Sequence, residues 1–234
     1  MRAIKTMLLL LLPFFLIRCI DGGEKLPEQI GPFQLAAEGK AYIKFTPGTW
    51  WVYKNTKTKA LDTIIYDNYT EKMLHFKGER YEYDREDIQF NMHSKTWGYT
   101  QRYESGQPFV DYTWAKENQK TYWFIKSQSE NGGGGFAGEI FIFSYDFDTT
   151  LNGNEGKVDI HLHPTFTVQG QTYQNVVEFE IFQDGTWRDG VGDSWHTSYF
   201  WAPKTGIVRR VKYQSISNKE INYAWELIAF HPNP

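Results

Sequence analysis

Lys157-Val158-Asp159-Ile160-His161-Leu162-His163-Pro164-Thr165-Phe166-Thr167-Val168-Gln169 is the stretch whose reading decides the fold. Val158, Ile160, Leu162, Phe166 and Val168 share one parity, and Asp159, His161, His163, Thr165 and Thr167 share the other. Successive side chains of a strand point to opposite faces, so this alternation suits a sheet with one apolar face. A helix would scatter the same apolar residues around its circumference.

The pattern continues outward in both directions. Phe141, Phe143, Tyr145 and Phe147 alternate upstream, as do Val177, Phe179 and Ile181 just downstream. Ile221, Tyr223, Trp225 and Leu227 repeat it near the end, and Trp97, Tyr99 and Tyr103 share a parity. From Tyr42 onward there is no long segment of helical period, and turn residues such as Asn152-Gly153 and Asp184-Gly185 punctuate the chain. The reading is an all-β body of about eleven or twelve strands without βαβ crossovers. An antiparallel barrel or half-barrel, lipocalin-like or similar, is favoured because strands such as Tyr122-Trp123-Phe124 carry aromatics on both parities. A two-sheet β-sandwich is the alternative, and the absence of an internal repeat disfavours a propeller or solenoid.

Composition agrees with a packed sheet. Of 234 residues, 18 % are aromatic and 41 % hydrophobic, and aromatic and β-branched residues pack well on a pleated surface. A chain of this length buries a core without staples. The one cysteine excludes an intramolecular disulfide and disfavours cysteine-based metal centres.

Met1 to Ile20 differ from the rest. Arg2 and Lys5 precede an apolar run of eleven residues, Met7 to Ile17, interrupted by Pro13. As a helix this run reaches only ~16 Å, about half the hydrocarbon thickness of a bilayer, so it reads as a secretion signal rather than a span. Leu16-Ile17-Arg18-Cys19 resembles the lipobox of bacterial lipoprotein signals. The resemblance implies that residues 1–18 are removed and that Cys19 is acylated, carrying palmitate-type chains and becoming the mature N-terminus. Ile20, where Asp is absent, implies the outer membrane by resemblance to the sorting rule of double-membraned bacteria. After Arg18 the chain holds 22 basic and 28 acidic residues, a net charge of −6, which disfavours a nucleic-acid partner. Residues 19–39, rich in Gly, Pro and charge, read as a flexible linker, and residues 40–234 as a single antiparallel β domain.

A second resemblance lies in the body. Pro47-Gly48-Thr49-Trp50-Trp51-Val52-Tyr53, followed by Asp62-Thr63-Ile64, is similar to the opening hairpin of secreted β-rich bacterial lipoproteins. Trp201-Ala202-Pro203-Lys204-Thr205-Gly206-Ile207-Val208 resembles their closing strands. It implies an all-β body behind a lipid anchor and carries no catalytic residues across.

Several side chains are candidates for chemistry. Asp159, His161 and His163 project to one face of a strand, the residue types zinc takes, although alternate side chains stand ~7 Å apart and a solvated face explains them as well. Asp148, Thr150, Asn152, Gly153 and Asp159 partly match a calcium loop, for which a hairpin is the simpler account. Glu178-Phe179-Glu180-Ile181-Phe182-Gln183-Asp184 distantly resembles the acidic strand motif of a jelly-roll glycosidase family, which implies Glu178 and Glu180 as a carboxylate pair. Most of the nine tryptophans suit a core. Trp187 and Trp195 flank Asp189-Gly190-Val191-Gly192-Asp193 and are the candidates for an exposed ligand platform. No cofactor motif is present.

These observations lead to the expectation of a lipid-anchored, non-enzymatic envelope protein that binds a hydrophobic ligand or a partner. Glycan binding through exposed tryptophans and glycoside hydrolysis by Glu178 and Glu180 are the alternatives.

Overall fold

In the computed structural model the described residues are 28–78, 81–95, 100–105, 123–129, 140–143, 149–153, 156–183, 195–215 and 218–234. They form thirteen strands and one short helix: β1 (Glu28–Phe33), α1 (Ala37–Lys40), β2 (Trp50–Asn55), β3 (Leu61–Lys77), β4 (Tyr81–Ser94), β5 (Thr100–Ser105), β6 (Trp123–Ser129), β7 (Ile140–Phe143), β8 (Thr149–Gly153), β9 (Gly156–Val168), β10 (Gln171–Gln183), β11 (Trp195–Ala202), β12 (Gly206–Ser215) and β13 (Asn218–His231). The fold is nearly all-β, and its sheet curls into a half-barrel.

The strand order is β7-β6-β5-β4-β3-β2-β13-β12-β11-β10-β9-β8, with β1 alongside β4. Neighbours along this path pair antiparallel, whereas β1 runs parallel to β4. The order explains the curl. Laid flat, twelve strands at ~4.8 Å spacing would part the edges by roughly 50 Å. Yet the edge strands β7 and β8 are joined by only residues 144–148, a connection that spans at most about 22 Å. The two edges must therefore approach each other.

The deciding stretch forms β9, and its turn follows from local chemistry. Gln169 (φ 50°) and Gly170 (φ 80°) connect β9 to β10 with Val168 opposite Gln171, a two-residue hairpin with both central residues at positive φ. Pro164 is tolerated because β8 pairs only with Gly156 to Ile160, which leaves the later part of β9 on an edge among the described residues. Val158, Ile160 and Val168 are buried as their parity requires, Phe166 is half-buried, and Leu162 is 37 % exposed.

Trp51, Tyr66, Phe90, Ile160, Phe179 and Trp201 are nearly inaccessible and belong to one core. Register places Trp51 opposite Ile64, Leu227 opposite Tyr53, Tyr199 opposite Arg210 and Phe179 opposite Ile160, so this core follows one face of the sheet from strand to strand. Phe45 meets both Trp51 and Tyr66 edge-on, at centroid distances of 5.1 and 5.6 Å, the geometry aromatic quadrupoles prefer.

The ordered body begins before the boundary expected from composition. Residues 28–39, read as linker, contain β1 and most of α1, with Phe33 and Leu35 in the core. Gly31 and Pro32 look like linker residues, but Pro32 sits in a strand that pairs only with β4 among the described residues, where a missing N–H leaves no ladder bond open. The calcium-like window is also resolved as secondary structure: Thr150 pairs with Asp159 and Gly153 with Gly156, two arms of the β8–β9 hairpin. Asp148 lies outside the described residues.

Candidate functional site

Three adjacent strands bring most of the sequence candidates onto one face. In β9 and β10, His161 lies opposite Glu178 and Asp159 opposite Glu180. In β10 and β11, Glu180 lies opposite Ser198 and Phe182 opposite His196. His163 Nε2 lies 2.8 Å from Glu178 Oε2, and His196 Nε2 lies 2.8 Å from Glu180 Oε1. The candidates proposed separately for metal binding and for hydrolysis thus share a cluster, and each glutamate is engaged by a histidine.

The face is not the solvated one expected for such residues. Glu180 is 3 % exposed, His196 1 % and Asp159 9 %, whereas His161 is exposed. His196 is sandwiched between Phe182 and Tyr213, at centroid distances of 4.3 and 3.9 Å, and the Tyr213 hydroxyl lies 3.2 Å from Ser198 Oγ. Phe166 stacks on Phe200 at 4.4 Å, with the His163 ring against both. A carboxylate hydrogen-bonded to an imidazole fixes the ring's orientation. Buried to this extent, Glu180 is inaccessible to a polymeric substrate in this conformation. Among the described residues no group of three or more His, Cys, Asp or Glu is placed to hold a metal ion.

A second polar cluster ties α1 to the long β3–β4 hairpin. Lys40 Nζ donates to Glu71 at 2.8 Å and to Glu86 at 2.5 Å, and Lys44 Nζ donates to Glu71 at 3.0 Å. Tyr69 donates its hydroxyl to Glu71, and the Leu35 amide donates to Glu86. The Lys40 bond, aided by Lys44 and Tyr69 against the opposing effect of burial, holds the Glu71 carboxyl well below the usual carboxylate range. Burial favours neutral Lys40, but its bonds to Glu71 and Glu86 outweigh this and raise its pKa. Burial pushes the Tyr42 phenol up to about 12, and its hydroxyl donates to the Asn175 carbonyl at 2.7 Å. The Lys204 amide donates to the Ala41 carbonyl, fastening the segment after α1 to the β11–β12 turn. Around it lies an open hollow of about 370 Å³, lined by Lys40, Lys44, Lys204, Phe45 and Phe230 among others.

Of the remaining candidates, Cys19 and Trp187 lie outside the described residues. Trp195 opens β11 opposite Gln183. Trp51 and Trp201 are core, as expected for most tryptophans, and Trp50 stacks on His231 at 3.9 Å. Sequence reasoning passed over His196, Ser198 and Tyr213. The alternation in Trp195-His196-Thr197-Ser198-Tyr199 was visible, but only register across β10 and β11 sets His196 within reach of Glu180.

The sequence matches no protein-family model and no curated protein. A solved structure described as a "putative lipoprotein" from Parabacteroides distasonis aligns over 81 % of this chain and 98 % of its own, at 9 % identity and a TM-score of 0.37. A likeness at that level assigns neither fold nor function. No helix among the described residues is long and apolar enough to cross a membrane.

Proposed function

We propose that this chain is a lipoprotein of a bacterial envelope, moored through acylated Cys19, whose β body binds a partner without catalysing a reaction. The observation that carries the reading is the leader: an apolar run, Met7 to Ile17, ends beside the chain's one cysteine. Two or three acyl chains at about 0.8 kcal/mol per buried CH₂ hold a protein on a bilayer essentially permanently. Ile20 after the cysteine supports retention in the outer membrane.

A macromolecular partner is preferred to a small hydrophobic ligand for a physical reason. Among the described residues, Trp51, Tyr66, Phe90, Ile160, Phe179 and Trp201 are buried in one core, so the chain's own side chains occupy space a small hydrophobic ligand would need. Engagement of Glu178 by His163 and of Glu180 by His196 supports a structural use of these carboxylates.

Growth with an alkyne-tagged palmitate is the test. The parent chain is expected to be labelled and to sediment with membranes, while Cys19→Ser is unlabelled and soluble. An unlabelled parent, or a labelled Cys19→Ser, overturns the mooring. Native mass spectrometry of the lipidated chain is expected to show no retained small molecule, and one bound stoichiometrically would overturn the preference for a macromolecule.

A further inference from the structure

The β3–β4 hairpin has two ends, and the chain enters the body at only one of them. Glu28, the first residue of β1, lies opposite Tyr81, the first residue of β4. Tyr81 follows directly on the β3–β4 turn, where the Gly78 amide donates to the Tyr81 carbonyl. Because β1 runs parallel to β4, it starts at the turn and runs inward along the hairpin. Eight residues separate Cys19 from Glu28, so the nine Cα–Cα steps make a tether of at most about 32 Å. β3 has 17 residues, a length of roughly 55 Å. The tether is therefore shorter than the hairpin and keeps its turn end near the anchor.

Charge bears on how the body is held. With a net charge of −6 after Arg18, a body lying flat on an anionic leaflet is disfavoured. At the turn end the Lys77 side chain is 65 % exposed, with Glu82 only at 3.8 Å and the Asp84 carboxylate beside them engaged by His75; Lys72, 60 % exposed with Asp87 at 3.7 Å, follows five residues further from the turn along β3. Pairs this long in solvent contribute little, and lysine stems extend readily toward phosphates.

Resting on the mooring proposed above, we infer that the turn end of the β3–β4 hairpin sits on phosphate-bearing lipid headgroups and that the body stands away from the membrane. The opposite end, where Lys57 is exposed in the β2–β3 turn, then projects outward and is the end free to meet a partner.

Single cysteines at the two ends test this on the full, lipidated chain. Gly78→Cys is accommodated, since its Cβ meets only the Tyr81 carbonyl oxygen at 3.4 Å, and Lys57→Cys is at an exposed position. The Cys19 sulfur, being alkylated in the mature protein, does not react with the label. With an environment-sensitive fluorophore on each, in vesicles of phosphatidylethanolamine and phosphatidylglycerol carrying a headgroup quencher, the Gly78→Cys label is expected to be quenched several-fold more than the Lys57→Cys label. Lys72→Glu combined with Lys77→Glu is expected to reduce that quenching while acylation persists. Equal quenching at the two ends, or stronger quenching at Lys57→Cys, overturns the orientation and leaves the mooring intact. Quenching that survives the double charge reversal overturns the headgroup contact, and a chain without acyl groups by mass spectrometry overturns both mooring and orientation.

Discussion

The buried face across β9, β10 and β11 and the lysine-centred network under α1 solve the same problem in opposite ways. Both place carboxylates in the folded body. Glu180 and His196 are both sealed, with side chains 4 % and 1 % exposed, whereas in the second cluster only Glu86 is, at 5 %, and Lys40 and Glu71 keep 21 % and 27 %. A sealed polar group has no water to fall back on, so losing its partner leaves the full desolvation penalty. A half-exposed group recovers hydration. The difference is that the first cluster holds the sheet's interior together, while the second fastens a segment that pH can loosen.

The largest effect is expected from Glu180→Ala, which strips the sealed His196 of its carboxylate and should destabilise the fold by about 3 kcal/mol, read by urea unfolding. A loss under ~1 kcal/mol would mean that the pair is not sealed in solution. Lys40→Met should be milder, about 1–2 kcal/mol, because Glu86 keeps its bond from the Leu35 amide and Glu71 keeps Lys44. Hydrogen exchange should show the loss confined to residues near α1, in contrast to the global effect at Glu180. Lys72→Ala, removing an exposed pair at 3.7 Å, should change stability by less than ~0.5 kcal/mol.

Titration sharpens the contrast further. Glu71 has a depressed pKa, so its contribution is present above the unfolded value of 4.5 and is lost as pH falls below it. Lys40 and Tyr42 have raised values, so theirs are present below unfolded values of 10.5 and 10.0 and are lost at higher pH, for Tyr42 on passing through about 12. Melting temperature measured against pH should therefore fall at both extremes. Glu71→Gln should flatten the acid arm, and Tyr42→Phe the alkaline one. An acid arm unchanged in Glu71→Gln would assign it to other carboxylates.

Much of the fold was legible in the residues because period-two alternation is a local property. Val177, Phe179 and Ile181 are buried as their parity demands, and the hairpin begun by Trp50 is present as β2 and β3. The start of the body was missed because Gly31 and Pro32 weigh against a strand locally, while the pairing of β1 with β4 joins residues some fifty positions apart. The site was half legible. Asp159, His163, Glu178 and Glu180 were visible as polar residues on strands, but not the burial of the first and last, because a strand's sequence does not state what covers its polar face.

The chain's own residues determined the sheet class, the apolar N-terminal run and its adjoining cysteine, since each is written in neighbours along the sequence. Only the tertiary structure decided between one curled sheet and a sandwich, and only it paired Glu180 with His196 and Lys40 with Glu86. Strand order and cross-strand register are settled by contacts between distant segments, whose energies no local pattern records.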